Sequence, residues 1–220
     1  MRIPFMARCL LCSVFLSLFV SFAASAELES YGFPNFDAQR KPHFTIKPVF
    51  AKTPQISSSQ EKNREKHRKA QCKSIANLLQ RYNRNLNDQA ALKYAGYILQ
   101  ACERFDQDPF VVAAMIVNES SARHDAVSKG GDYGLMQVRW RVHRKSIVKK
   151  YPHIKDAKGI LDPEYNVLVG TEILARYCVA ANNLRDGLMR YSAGNKKLAD
   201  KVFAALKGLQ NSYKEHLSAL

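Results

Sequence analysis

The chain has 220 residues, 46% of them apolar, and 34 Lys and Arg set against 19 Asp and Glu give a formal net charge of +15. A globular domain of ordinary size with a buried core follows, which excludes a wholly disordered chain. The charge calls for an anionic partner; no helix-turn-helix, zinc-finger or aromatic RNA-binding signature accompanies it, so nucleic acid is not expected to be that partner.

Residues 1–26 carry Arg2 and Arg8, then an apolar stretch of about 15 residues, then Ala24-Ser25-Ala26, the pattern of a secretory signal cleaved after Ala26. The stretch falls short of the roughly 18 to 20 residues that a membrane span needs. Cys9 and Cys12 lack the small-residue context of a lipoprotein signal, so no stable membrane anchor is expected after cleavage. The mature chain, still at about +13, is expected to be exported, periplasmic or cell-wall associated. Export favours a disulfide among Cys72, Cys102 and Cys178, with three pairings open. All three sit on apolar helical stripes, where a structural role suits them, and none is assigned to catalysis or metal.

Residues 27–71 hold Pro34, Pro42, Pro48 and Pro54 and then "SSSQEKNREKHRKA", with no sustained period; this reads as a flexible basic leader. Residues 72–220 read as one all-α domain. Cys72, Ile75, Leu79 and Tyr82 share one helical stripe, and Ala91, Ala95, Ile98, Cys102 and Phe105 share another. In "DQDPFVVAAMIVNES", Asp108 caps a helix whose first position is Pro109, and φ is already set there. Phe110 to Val117 are apolar without interruption, so this helix is expected at the centre, buried on all sides. Then comes the glycine-dotted segment "SKGGDYGLMQV", which leaves room for a short hairpin. "LDPEYNVLVGTEILARYC" repeats the Asp-Pro start at Asp162 and Pro163, and two more helices begin near Arg185 and Lys196, separated by "YSAGN".

Glu119 extends the apolar face of the central helix, four residues after Met115 and three after Ile116. Desolvation disfavours its charged form, which is how a carboxylic acid stays protonated near neutrality and donates a proton to a leaving oxygen. An ordinary surface glutamate at a fraying helix end is the competing reading. Gly130, Gly131 and Gly134 suit close approach of a large ligand, although a plain turn uses the same residues.

Taken together, three spaced blocks resemble the soluble lytic transglycosylases, whose lysozyme-like domain cleaves bacterial peptidoglycan. The first is Glu119-Ser120 with Ser128, Gly131 and Gly134-Leu135-Met136-Gln137; the second is Asn166 with Gly170; the third is Tyr191, Ala193 and Gly194. The resemblance covers residues 101–206, about half the chain. It implies an all-α lysozyme-like fold and a lytic transglycosylase that needs no metal or organic cofactor. Glu119 would be the general acid and then the base, Ser128 and Tyr191 would orient it or the sugar's acetamido group, and Met136, Gln137 and Asn166 would line the glycan groove. Met136 also suits plain core packing, and Gln137 and Asn166 suit loop and helix-end hydrogen bonding.

The implied partner is peptidoglycan glycan, with cell-envelope machinery as a further one. Most glycosidases need two carboxylates, but substrate-assisted enzymes do not. The departures are Ala122-Arg123-His124 after Glu-Ser, Ser192 where the family has Asn, and Asp132 where it commonly has a small residue. Asp132 is thus a candidate second carboxylate, as in goose-type lysozymes, which hydrolyse with water; the other reading makes it a surface or loop-capping residue. A third reading, from another class, is a peptidoglycan-binding or secretion-apparatus component with little activity. The histidines show no metal spacing, and His124 and His143 are expected to face solvent. Trp140 suits sugar stacking or packing equally. Arg139, Arg141, Arg144, Lys145, Lys149 and Lys150 form a basic segment that reads as a solvated helix face or a contact for stem-peptide carboxylates.

Overall fold

The computed structural model describes residues 57–220; the predicted signal and residues 27–56 of the predicted leader lie outside the described residues. Seven α-helices run in order among the described residues: α1 Ser58–Tyr82, α2 Asp88–Phe105, α3 Pro109–Ser120, α4 Trp140–Lys150, α5 Pro163–Ala181, α6 Leu184–Tyr191 and α7 Lys196–Ser218. Between α3 and α4 lies a hairpin of β1 Asp132–Tyr133 and β2 Val138–Arg139. The architecture is the expected all-α one, with the short hairpin in the central loop.

The first helix corrects the leader boundary. It begins at Ser58, not near Cys72, because Ser57 and Gln60 form a reciprocal capping box. No proline interrupts the charged run that follows. Its first turns are exposed, and Ala70 is its first buried residue. The amphipathic stripe reads only the packed half of this helix.

α3 forms the core as its sequence demands: Val112, Ala113, Ala114, Met115 and Ile116 are each 0% exposed. Asp108 accepts a hydrogen bond from the Phe110 N–H at 2.8 Å, and Pro109 stands at the first position. α1 and α7 pack against α3, while α5 packs on α2 and α6. Asp162 caps α5 through the Glu164 and Tyr165 N–H groups.

Two glycines set how closely the hairpin approaches α5. A Cβ on Gly170 would lie 2.6 Å from the Met136 sulfur. Gly134 has φ +75°, and a Cβ there would lie 2.3 Å from the Asn166 amide nitrogen. Only glycine meets both conditions at 134. The expected disulfide does not form: Cys72, Cys102 and Cys178 stand as free thiols on α1, α2 and α5. Burial pushes each thiol up, so all three stay protonated. No described helix is long and apolar enough to cross a membrane.

Candidate active site

Glu119 is the penultimate residue of α3 and is half-buried. Among the described residues its carboxyl makes no hydrogen bond and no salt bridge. Burial is the main cause that raises its pKa, to about 7; the charge of Asp132 raises it further, and that of Arg139 opposes. The C-terminal end of a helix also disfavours an anion. A carboxylic acid so placed keeps its proton near neutrality and can lend it to a leaving group.

The chain leaves α3 sharply. Ser121 and Ala122 both adopt positive φ, at 53° and 57°, and the Asn83 side chain donates to the Ala122 carbonyl at 3.1 Å. Of the six non-glycine residues with positive φ among the described residues, Ser121, Ala122, Gln137 and Ala193 belong to segments that carry the predicted site. Such conformations persist only where the surroundings hold them, and they collect at functional sites.

The hairpin is bonded to the segment that follows this reversal, through the Gly134 N–H to the Ala126 carbonyl at 2.8 Å. Asp132 pairs across from Arg139, and Tyr133 pairs with Val138. The turn between them closes through the Gln137 N–H to the Gly134 carbonyl at 3.1 Å. The Gln137 side chain donates to the carbonyls of Ala126 and Gly134 at 3.1 and 2.9 Å, tying the turn to the segment that follows Glu119. Its own amide oxygen is left to accept from elsewhere. Ser128 braces the same loop: its N–H donates to the Asp132 carbonyl at 2.9 Å, and its hydroxyl oxygen accepts from the Asp132 N–H at 3.1 Å. The hydroxyl bonds Asp132, not Glu119.

Two of the predicted groove residues take a different place. Asn166 is 0% exposed: its oxygen accepts from the Met136 N–H at 2.7 Å, and its nitrogen donates to the carbonyls of Tyr133 and Ile160, each at 2.8 Å. Met136 is also 0% exposed and packs on Gly170 and the Thr171 hydroxyl. Neither side chain lines a groove, which corrects that expectation. Both hold the Gly-Leu-Met-Gln turn from beneath, because a tight turn leaves backbone groups that an amide on the neighbouring helix satisfies.

Tyr191, half-buried at the end of α6, donates its hydroxyl proton to the Met136 carbonyl at 2.8 Å. Burial first, and then the charge of Glu119, pushes its pKa well above the usual tyrosine value. Its ring meets that of Tyr177 edge-on, with centroids 6.4 Å apart. The His143 ring also meets Tyr177 edge-on, with centroids 6.3 Å apart. Contrary to expectation His143 is half-buried, and burial and the cations Arg176 and Arg139 hold its pKa down to about 4. His124 is exposed, as expected, and Trp140 packs against the core.

Asp132 and Arg139 form a two-pronged ion pair, Nε to Oδ1 at 2.7 Å and Nη2 to Oδ2 at 3.1 Å. Sequence reading missed Arg139 and Tyr177 as members of the site. The signal for Arg139 was there: an acid and a base flank the turn at the hairpin's two ends. Tyr177 gives no such sign, since it is one of two tyrosines on α5. Among the described residues no cluster of His, Cys, Asp and Glu is arranged to hold a metal.

Residues 96–212 match the family model described as "Transglycosylase SLT domain". A segment of 90 residues is 36% identical to the "Membrane-bound lytic murein transglycosylase C" of Edwardsiella ictaluri, covering 40% of this chain and 25% of that protein. The chain thus spans about a quarter of that relative's length.

Proposed function

The chain belongs to the transglycosylase SLT domain family, and from that premise we propose that it is an exported lytic transglycosylase acting on peptidoglycan. The observation that carries the reading is Glu119, a half-buried carboxyl with no protein partner, held protonated to about pH 7. Glu119 donates its proton to the glycosidic oxygen between N-acetylmuramic acid and N-acetylglucosamine, and the C1–O bond breaks. The sugar's own N-acetyl group offsets the charge that develops at C1. The Glu119 carboxylate then takes the proton of the muramoyl C6 hydroxyl as that oxygen bonds to C1, leaving a 1,6-anhydro end and a reprotonated Glu119.

Around it, the Ser128 hydroxyl proton, the Gln137 amide oxygen and the Tyr191 hydroxyl oxygen are the polar groups offered to the sugar. Tyr177 and Tyr191 add aromatic surface. The mature chain acts in the periplasm or at the cell wall, drawn to an anionic wall by its positive charge. Work within a cell-envelope machine fits the same exported setting.

Mass spectrometry of sacculi digested by the chain provides the test. Muropeptides ending in 1,6-anhydro rings, lighter by one water than reducing ends, are expected. Reducing ends in their place would make it a hydrolase with Asp132 positioning water, although both Asp132 oxygens are engaged by Arg139. Binding to sacculi with no release at all would make it a wall-binding component.

A further inference from the structure

Asp132, the candidate second carboxylate, is held by Arg139 in the geometry of a neutral unit. Asp132 is 17% exposed and Arg139 39%. They face each other in register on a hairpin with two residues per strand. A carboxylate this buried is costly unless paired, and the planar fork of arginine is the partner that takes both oxygens. Simple stapling of a short hairpin would use such a pair too. What sets this one apart is that both of its charges reach Glu119, the one carboxyl of the site with no partner of its own among the described residues.

We propose that Arg139 is a positioning residue for catalysis: by holding Asp132 in a neutral pair it leaves Glu119 as the single acid of the groove, and the two members act on the Glu119 proton in opposite directions. The proposal rests on Glu119 being the reactive group. Asp132 on β1 and Arg139 on β2 act on Glu119 directly, and the other titratable or charged groups of the site are His143 on α4, Arg176 and Tyr177 on α5, and Tyr191 on α6. His143, held near 4, is neutral at working pH, and Tyr177 and Tyr191 are both pushed up and remain neutral as well. Arg176 is already paired with Glu172, so the charges that bias Glu119 are those of the pair, Asp132 raising its pKa and Arg139 opposing.

The sign of each substitution follows. Lysis by a protonated Glu119 falls as pH rises through the pKa of that group. Asp132→Asn leaves an unopposed cation, which favours the Glu119 carboxylate, so the alkaline fall of activity moves to lower pH. Arg139→Gln leaves an unopposed anion, and the fall moves to higher pH. In the double variant both charges are gone while burial, the larger influence, remains, so the fall returns close to its original place. Each single shift is expected at roughly half a pH unit or more.

The experiment is the pH profile of sacculus lysis for the wild type, both single variants and the double variant, with Arg139→Lys expected between wild type and Arg139→Gln. Paired with it is a carbon NMR titration of the Glu119 carboxyl in the same proteins, which needs no turnover. Opposite shifts in the singles and their cancellation in the double are expected. Shifts of the same direction, or a double variant displaced as far as a single, would reduce the pair to a structural staple. A wild type that lyses nothing would sink the proposed activity, while the NMR titration would still decide for or against the charge balance.

Discussion

Two glutamates on different helices show how one residue type is put to opposite uses. Glu172, on α5, is 6% exposed and meets three donors: Lys150 and the Tyr151 hydroxyl, each at 2.6 Å, and Arg176. Burial alone would raise its pKa, but those hydrogen bonds outweigh burial and hold it below the usual carboxylate range. Glu119, more exposed, meets no donor and is pushed up to about 7. The degree of burial therefore does not decide the behaviour of a carboxyl here; the supply of donors does. Glu172 ties the end of α4 to α5 and stays charged near neutral pH. Glu119 is left able to exchange a proton.

The comparison breaks first at Glu119. Replacing it with Gln is expected to cut lysis of sacculi about a thousandfold, since a positioned general acid contributes on that order. The same change should make the protein more stable at pH 8. Native Glu119 keeps its proton to about pH 7, whereas the unfolded chain releases it near 4.5, so a rise in pH across that window favours unfolding by up to about 3 kcal/mol. Gln removes that penalty. Thermal unfolding of both proteins should show a gain for Glu119→Gln at pH 8 and none at pH 4; a loss at pH 8 would mean that Glu119 has a stabilising partner after all.

The next effect tests what keeps donors away from Glu119. Asn166→Ala strips partners from the Met136 N–H and from the carbonyls of Tyr133 and Ile160, all in the buried support of the turn. Buried groups left unpaired cost about 1–3 kcal/mol each, and some of that is recovered by relaxation, so a loss of about 3 kcal/mol is expected. Urea unfolding measures it. Lysis should fall together with stability, because the turn that positions Gln137 and the Asp132–Arg139 pair loses its footing.

Glu172→Gln sharpens the other side. It leaves the buried Tyr151 hydroxyl with a poorer acceptor and two partly exposed cations without their anion, a cost of about 2 kcal/mol near neutral pH. The sign is opposite to that of Glu119. A carboxyl held below its ordinary pKa stabilises the fold above that value and loses this contribution as pH falls through it, so the gap between variant and wild type should close in acid. Lysis by the folded variant should stay within a few-fold of wild type. A larger loss would place Glu172 in the chemistry.

Much of this was legible in the sequence because it depends on neighbours along the chain. The Asp-Pro starts at Asp108 and Asp162, the wholly apolar α3 and the carboxyl on its last turn are local patterns, and the spaced blocks mark the family. What stayed hidden depends on contacts far apart in sequence. Asn166 reads as an amide suited to sugar, and only the approach of α5 to the turn shows that all its hydrogen bonds are taken by backbone. His143 reads as a solvent residue until Tyr177 and Arg176 are beside it. The start of α1 was missed for a local reason, since a run of charges suggests a leader more readily than the capping box at Ser57 suggests a helix.

The smallest effect on stability is expected at Tyr191, and it bears directly on whether Glu119 lacks a charged partner. Tyr191→Phe removes one hydrogen bond, that to the Met136 carbonyl at 2.8 Å, for about 1 kcal/mol of stability. With the turn less firmly held and one hydroxyl gone from the sugar's surroundings, lysis should fall about tenfold. Its dependence on pH should not move. Tyr191 is pushed well above the ordinary tyrosine value, so it is neutral wherever Glu119 titrates, and its loss changes no charge in the site. A displaced alkaline limb in Tyr191→Phe would show that the hydroxyl donates to the Glu119 carboxylate during catalysis. Glu119 would then have a donor, as Glu172 does, and the contrast between them would be one of timing rather than of supply.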